Sequence, residues 1–471
     1  MGEALWRLSA TELRARIAAG EVSARDATAA AIARLEAVNP TLNAVVVPCA
    51  EAAMATAAAL DAAQARGAPL GLLHGVPVTI KINVDQRGHA TSNGVAAFAD
   101  VVADDDAPVV AQLRRAGAVI VGRTNTPEFS FRADTDNPLH GRTHNPWGPH
   151  VSPGGSSGGA AAAVMAGIGA LAHGNDIAGS LRFPALACGA STVKPGIGRV
   201  PAFNPSQTAE RGMLAQAMSV QGLIAREARD VALGMRALVA ADGRDPWQVP
   251  QAFDQPPLDG PVKVALCTDT FEFTLHPEVR TALETAANAL ADAGYEVVPA
   301  AAPMVREIGH RGFRALLGET EALLGDAIRQ YGSPTLNAVF ASYHAVFPPL
   351  RGTELLAAMA RRSFDARAWN AFLESYPLVL CPLLPFPFFA PDADTVGVEG
   401  AHATLGAGFW SFAMNFMGLP AGIAATHVAL DQPFGVQIVG RRWREDLILA
   451  ACTAVEARSG AMAERLWART G

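Results

Sequence analysis

The sequence predicts an α/β fold, because segments with the pattern of β-strands alternate with segments with the pattern of helices. Half of the 471 residues are hydrophobic and only 17% are charged, a composition typical of a compact globular protein with a large core. The alternation is clearest where an apolar strand over 76–84 is followed by a helix near 107–116 and by the strand AVIVG at 118–122. The same order recurs beyond residue 260.

The N-terminal part, about 1–66, is predicted to be helical. Ser9 with Glu12 three positions later has the pattern of a capping box. A second helix is expected to begin at Ser23 and to end near Asn39 and Pro40, because proline removes a backbone donor. Three helices are predicted here, over 9–20, 23–40 and 50–66.

The second half repeats the α/β pattern after a proline-rich stretch, 244–262, that could be a domain boundary or a long surface loop. The segments predicted after it are a strand at 262–267, a helix at 276–293, a strand at 295–300, helices across 304–377, an apolar segment at 377–389, and a strand at 434–440 followed by a helix.

Charge and cysteine content exclude several classes of protein. A net charge of −7 and a pI near 5.9 argue against nucleic acid or an anionic membrane as the main partner. The five cysteines lack CxxC spacing and fit reduced thiols, so a cytoplasmic location is expected. The N-terminus lacks the apolar run of a secretory signal, and no apolar stretch reaches the roughly 20 residues that cross a membrane.

Lys81 stands out within the predicted strand 76–84. Lysine occurs only at Lys81, Lys194 and Lys263, whereas arginine supplies the other 34 basic side chains. Arginine stays protonated near neutral pH, but a buried lysine can lose its proton and act as a base. Lys81 is therefore a candidate catalytic base, unless it only extends its ammonium group to solvent at a strand end.

Two segments rich in small residues accompany this lysine. SPGGSSGGAAAAVMAG (152–167) is a Gly/Ser loop running into an alanine-rich helix, and it lacks the GK[ST] ending of a phosphate loop. In HGNDIAGSLRFPA (173–185), Ser180 follows two small residues, which let backbone N–H groups approach a substrate. Taken alone, the first segment could be a tight turn and Ser180 a helix N-cap.

Together these segments resemble the amidase signature family, over nearly the whole chain. Lys81 and Ser156 are 75 positions apart, and Ser156 and Ser180 are 24 apart, which is the family's spacing. The motifs that carry the resemblance are GVPVTIK at 75–81, GRTNTPEFS at 122–130, PGGSSGGAAAAV at 153–164, GNDIAGSLRFPA at 174–185, VKPGIGRVP at 193–201, and, near the C-terminus, NFMGLPAGIA and FGVQIVG.

The resemblance implies a Ser-Ser-Lys triad with Ser180 as the nucleophile, Ser156 as the bridging serine after a cis peptide bond, and Lys81 as the base. A proton would pass from Ser180 through Ser156 to neutral Lys81, and an acyl-enzyme would form on Ser180. The backbone N–H groups expected to stabilise the oxyanion are those of Ile177, Ala178, Gly179 and Ser180. Neither a metal ion nor an organic cofactor is needed in this scheme.

Further residues take supporting roles by the same resemblance. Asp176 and Arg182 would form a buried pair that shapes the nucleophile loop. The candidate substrate-binding residues are Phe129, Ser130, Phe131 and Ser157, although simple core packing also explains the aromatic ones. Two positions depart from the family pattern: Ile82 replaces an aspartate that often follows the lysine, and Ala178 replaces a glycine.

The resemblance implies hydrolysis of a carboxylic amide, and the aromatic residues of 310–350 and 377–410 favour an apolar or aryl substrate. Three alternatives remain open: a carbamate hydrolase with the same triad, a glutamine-dependent amidotransferase subunit, and a non-catalytic binding protein on the same scaffold. The expected partner is a small amide or carbamate, and because many relatives are dimers a homodimer also stays open.

The fold implied by the resemblance is a single α/β/α layered domain over 1–471. Its mixed twisted sheet would be covered by helices on both faces, with a variable, pocket-lining region at about 300–410.

Overall fold

The computed structural model describes residues 4–470, which form one mixed sheet of eleven strands with helices on both sides. The strands are β1 (Val45–Pro48), β2 (Pro77–Lys81), β3 (Val119–Thr124), β4 (Leu171–Asp176), β5 (Ser191–Lys194), β6 (Val220–Ala225), β7 (Lys263–Leu266), β8 (Glu296–Pro299), β9 (Leu378–Cys381), β10 (Ala421–Ala429) and β11 (Gln432–Gly440).

Helices account for most of the remaining regular structure. They are α1 (Ala10–Ala18), α2 (Ala24–Leu42), α3 (Ala50–Ala65), α4 (Pro108–Arg115), α5 (Gly158–Met165), α6 (Arg182–Cys188), α7 (Met213–Met218), α8 (Ala228–Leu238), α9 (Pro277–Asp292), α10 (Val305–Tyr331), α11 (Pro334–Val346), α12 (Gly352–Ser375), α13 (Gly397–Thr404), α14 (Phe409–Met417), α15 (Glu445–Ser459) and α16 (Met462–Thr470). Short 3-10 segments lie at Leu5–Arg7, Ala96–Phe98, Glu128–Ser130 and Ala393–Thr395.

The sheet order is β1-β3-β2-β4-β6-β5-β10-β11-β9-β7-β8. Strand β2 runs parallel to both of its neighbours, β3 and β4, and β7 runs parallel to β8 and β9. The other pairings are antiparallel. The α/β class and the mixed sheet are therefore confirmed.

Two large apolar cores lie against this sheet. One contains Val164 of α5, Leu316 of α10 and Phe412 of α14. The other contains Leu113 of α4 and Leu283 of α9, together with residues of α8 and α15. Each core draws residues from before and after the proline-rich stretch 244–262, which joins α8 to β7 as an irregular segment. Burial on both faces explains why the strands read as nearly continuous apolar runs.

The helical prediction for the N-terminal part is correct for α1, α2 and α3 but wrong at two points. The capping box of α1 is present, with Ser9 Oγ accepting from Glu12 N at 3.1 Å. Helix α2 continues through Pro40, which removes one backbone donor, and ends at Leu42. Strand β1 then interrupts the helices and pairs with β3. Residues 1–3 lie outside the described part.

Two other predicted elements differ in length. The strand predicted over 76–84 ends at Lys81, so the lysine stands at the end of β2 rather than in its middle. The helical stretch 304–377 is divided into α10, α11 and α12. Among residues 4–470, no helix combines the length and apolar character needed to cross a bilayer.

Candidate active site

The predicted site residues meet at the carboxyl ends of three neighbouring parallel strands. Lys81 is the last residue of β2 and Asp176 the last residue of β4, and Asn125 and Thr126 follow β3 directly. In α/β sheets this edge is where ligands usually bind, because the loops that follow parallel strands converge there. Strand polarity thus brings together segments far apart in the chain.

Lys81 is fully buried and surrounded by oxygen atoms. Its Nζ lies 2.8 Å from Ser156 Oγ, 3.1 Å from Ser157 Oγ and 2.8 Å from Asn175 Oδ1. Burial lowers the pKa of Lys81 well below its ordinary value, and the more distant carboxylate of Asp176 opposes this only in part. The side chain is therefore set up to be a neutral amine in contact with a serine hydroxyl.

The Gly/Ser loop brings Ser156 to this lysine. The peptide bond between Gly155 and Ser156 is cis. The Ser156 carbonyl accepts a hydrogen bond from Thr126 Oγ1 at 2.8 Å. Gly155 cannot be replaced without a clash, because a Cβ there would lie 2.2 Å from the carbonyl oxygen of Arg132. The small residues of the motif thus serve close packing around Ser156.

Ser180 joins the cluster through its backbone and is partly exposed. Its carbonyl accepts a hydrogen bond from the N–H of Ser157 at 3.2 Å. Ser180 is not the N-cap of α6, because Leu181 holds that position and caps without a side-chain hydrogen bond. The contact between the hydroxyls of Ser180 and Ser156 stays a prediction.

Asp176 holds the loop 177–181, called the nucleophile loop because it carries the predicted nucleophile Ser180. Its Oδ1 accepts from Gly179 N at 2.7 Å and its Oδ2 from Leu181 N at 3.1 Å. The expectation that the Gly179 N–H stabilises the oxyanion is therefore wrong, because this N–H already donates to the carboxylate of Asp176. Within residues 4–470, the N–H groups of Ile177, Ala178 and Ser180 have no protein partner, and these three donors remain candidates.

Asp176 and Arg182 form the buried pair that the sequence predicts, with both side chains inaccessible to solvent. Arg182 Nε donates to Asp176 Oδ2 at 3.0 Å and Nη2 to Oδ1 at 3.1 Å. Asn415 and Gln437 complete the shell around the two charges. Burial would raise the pKa of Asp176, but the attraction of Arg182 outweighs it and lowers the pKa to about 2. The carboxylate is thus charged throughout the neutral range.

Gly179 is required by both its conformation and its neighbours. Its φ is +130°, in the region that favours glycine, and a Cβ would lie 2.3 Å from the ring of Phe183 and 2.7 Å from Ser411 Oγ. Ala178, the departure from the family pattern, is partly buried, and its carbonyl accepts from Ser411 Oγ at 2.8 Å. The extra methyl group is therefore accommodated beside the core.

Two asparagines missed by sequence reasoning complete the network. Asn175 accepts from Lys81, and its Nδ2 donates to Asn83 Oδ1 at 2.9 Å. Asn83 Nδ2 in turn donates to Ser130 Oγ at 3.0 Å. Their positions in the sequence could have indicated them, because Asn83 lies two residues after Lys81 and Asn175 lies in the motif that contains Ser180.

The four predicted substrate-binding residues lie on two sides of this network. Ser157 contacts Lys81, and Ser130 contacts Asn83. Phe129 and Phe131 are partly exposed and pack against an apolar cluster around Phe340. The packing expected for the aromatic residues is thus confirmed in part, whereas their role in substrate binding stays a prediction.

Two other buried titratable groups near the site, His173 and Lys194, have hydrogen-bond partners outside the triad candidates. His173 is bonded to Gln221 at 2.9 Å, and burial lowers its pKa to about 4. Lys194 donates to the carbonyl of Pro195 at 2.9 Å, and burial lowers its pKa to about 7. Among the described residues, no group of three or more His, Cys, Asp or Glu side chains could hold a metal ion.

Replacing Asn175 with aspartate is expected to shift the pH dependence of catalysis. A carboxylate 2.8 Å from Lys81 Nζ would favour the ammonium form and raise the pKa of the lysine by about 1–3 units. The acid limb of kcat/KM should then move to higher pH, and the activity lost on the acid side should recover on the alkaline side. Asn288→Asp, at an exposed position on α9, is the matched control and should leave the profile unchanged. An unshifted profile in Asn175→Asp would contradict a neutral Lys81.

Comparisons with known proteins agree with this geometry. A family model described as Amidase matches residues 26–449. The chain is 44% identical to the indoleacetamide hydrolase of Bradyrhizobium diazoefficiens, covering 98% of this chain and 88% of that protein. It is 34% identical to the acylamidase of Rhodococcus erythropolis over 96% and 95% of the two chains. The crystal structure of a bacterial aryl acylamidase of the amidase signature family superposes with a TM-score of 0.82 at 26% identity, covering 98% of each chain.

The fold and the comparisons define the class of this protein as a hydrolase that acts on amides. The chain belongs to the amidase signature family.

Proposed function

We propose that the protein hydrolyses its amide substrate through Ser180, Ser156 and Lys81, with an acyl-enzyme on Ser180. The observation that carries this proposal is the 2.8 Å contact between Lys81 Nζ and Ser156 Oγ in a fully buried setting. Burial lowers the pKa of this amine, so it loses its proton more readily than an exposed lysine and can then act as a base. A hydrogen bond from the N–H of Ser157 to the carbonyl of Ser180, 3.2 Å long, links Ser180 to the same cluster.

The reaction would proceed by two matched proton relays. As Ser180 Oγ attacks the carbonyl carbon, its proton passes to Ser156 Oγ, and the proton of Ser156 passes to Lys81 Nζ. The tetrahedral oxyanion accepts hydrogen bonds from the free N–H groups of the nucleophile loop. Lys81 then returns the proton through Ser156 to the leaving amine, and the C–N bond breaks. Water repeats the sequence on the acyl-enzyme and releases the acid.

The proposed substrate is a small amide whose acyl part carries an aromatic ring. Support comes from the 44% identity to an indoleacetamide hydrolase and from the apolar residues around the site. Phe131, Ile177 and Phe389 are all partly exposed and pack against the large core that borders the nucleophile loop. A planar apolar group is expected to bind such a surface with little loss of side-chain entropy. The buried, unpaired cysteines are consistent with the cytoplasmic location proposed for this enzyme.

A substrate panel tests this function directly. The purified chain is incubated with indoleacetamide, propionamide, an acyl anilide, an aryl carbamate and glutamine, and ammonia or aryl amine is measured. We expect kcat/KM to be highest for indoleacetamide. A preference for the aryl carbamate would favour the carbamate hydrolase instead, and glutamine hydrolysis alone would favour an amidotransferase subunit. A preference for propionamide would contradict an aromatic acyl group.

A further inference from the structure

The segment that follows β3 holds two adjacent residues in an unusual backbone conformation. Phe129 has φ +52° and Ser130 has φ +54°, both in the left-handed region that residues with side chains rarely adopt. Such conformations persist only where surrounding contacts fix them, and they concentrate at functional sites. The contacts that fix this segment therefore show what it is positioned for.

One of these contacts joins the segment to α11. Glu128 is buried, and its carboxylate accepts from Ser333 N at 2.9 Å and from Ser333 Oγ at 2.5 Å. Ser333 is the N-cap of α11, and its Oγ also accepts from Leu336 N at 3.1 Å. The negative charge at this helix N-terminus is favourable in itself. The Glu128–Ser333 pair thus fixes the start of α11 against the strained segment.

Helix α11 contributes the aromatic residues that face this segment. The rings of Phe131 and Phe340 lie 5.0 Å apart with their planes inclined by 67°, and those of Phe131 and Tyr343 lie 5.7 Å apart. Phe129 packs against the same apolar cluster, which contains Leu336. Since Phe129 and Phe131 stay partly exposed, part of this aromatic wall remains open to a ligand.

On its other side, the same segment is bonded to the catalytic network. Ser130 Oγ donates to Asn93 Oδ1 at 2.6 Å, accepts from Asn83 Nδ2 at 3.0 Å and lies 3.0 Å from Thr126 Oγ1. Thr126 in turn binds the carbonyl of Ser156. Only one residue, Phe129, therefore separates the attachment to α11 at Glu128 from the attachment to the reacting groups at Ser130.

We propose that the Glu128–Ser333 pair is a positioning device that sets the enzyme's selectivity for acyl groups carrying a ring. This inference rests on the proposed function and deepens it. The pair fixes the distance between the aromatic wall and the reacting groups. Without it, α11 and Phe131 can shift, and a planar ring loses contact while a short acyl chain, which does not reach the wall, is little affected.

The test compares kcat and KM for indoleacetamide and propionamide in Glu128→Ala, Ser333→Ala and the double variant. We expect KM for indoleacetamide to rise roughly tenfold in each, with kcat/KM for propionamide changed by less than about twofold. The double variant should be no worse than the more severe single variant, since both remove one interaction. Ser333→Thr keeps the hydroxyl and should retain the wild-type selectivity.

Ser23→Ala is the matched control. Ser23 is the N-cap of α2, and its hydroxyl likewise donates to a carboxylate, that of Asp26, at 2.6 Å. This variant should leave the selectivity unchanged. An equal loss for both substrates in the Glu128 and Ser333 variants, or no change in the ratio, would overturn the inference. A wild type that prefers propionamide would overturn the proposed function instead, while the ratio in the variants still decides whether the pair sets selectivity.

Discussion

Replacing Lys81 with alanine is expected to lower kcat/KM for the best amide by about 10³- to 10⁴-fold, because in the proposed mechanism this one group supplies both the base and the acid of the reaction. In the wild type, activity should fall as the pH drops through the lowered pKa of Lys81, since only the neutral amine accepts a proton. The variant should lose that acid limb. Steady-state rates of ammonia release between pH 5 and 9 measure both effects.

The small number of lysines offers a clean control for this experiment. Lys263 is about half exposed and lies 3.7 Å from Glu296, so Lys263→Ala removes a lysine outside the site. Its rate and pH profile should match the wild type. Full activity at neutral pH in a folded Lys81→Ala protein would contradict the role given to this residue.

Replacing Asp176 with alanine is expected to cause the largest loss of stability. The change removes the partner of Arg182, and it also removes the acceptor for the N–H groups of Gly179 and Leu181. Breaking a buried ion pair on one side typically costs about 3–5 kcal/mol, because the remaining charge stays buried without compensation. Chemical denaturation should show this drop in the free energy of unfolding, and amide hydrolysis should be lost with the shape of the loop.

An exposed ion pair provides the comparison. Arg236 binds Asp254 at 2.7 Å, but both side chains are substantially exposed, so Asp254→Ala should cost less than about 1 kcal/mol. Because the pKa of Asp176 is lowered, the free energy of unfolding of the wild type should also depend on pH in the acid range. Stability present near pH 4 and above should be lost as the pH falls toward 2, where the carboxylate takes up a proton. Equal losses in Asp176→Ala and Asp254→Ala would contradict a structural role for the buried pair.

The fold class and much of the site could be predicted because each rests on residue type and order along the chain. A lysine in an apolar strand of an arginine-rich protein draws attention by itself, and two motifs of small residues mark the loops that pack around it. Lys81 and Ser156 do meet in the structure. The strand-helix alternation likewise reflects burial patterns that are local in sequence.

The features that could not be predicted depend mostly on contacts between residues far apart in the chain, which local sequence patterns do not indicate. Asn83 and Asn175 join through paired amides only because β2 and β4 end side by side in the sheet. Strand β1 is four residues long and lies between two helices, so its pairing with β3 decides its structure. The occupied N–H of Gly179 follows from a local turn, in which Asp176 accepts from the third residue after it.

The most direct test of the proposed mechanism is to look for the acyl-enzyme. The protein is mixed with an activated aryl ester of the preferred acid, quenched with acid and digested, and the peptides are analysed by mass spectrometry. The mechanism predicts the mass of the acyl group on the peptide that contains Ser180, and no such mass in Ser180→Ala. Amide turnover by a wild type that never carries the acyl group on Ser180, or by Ser180→Ala at the wild-type rate, would contradict it.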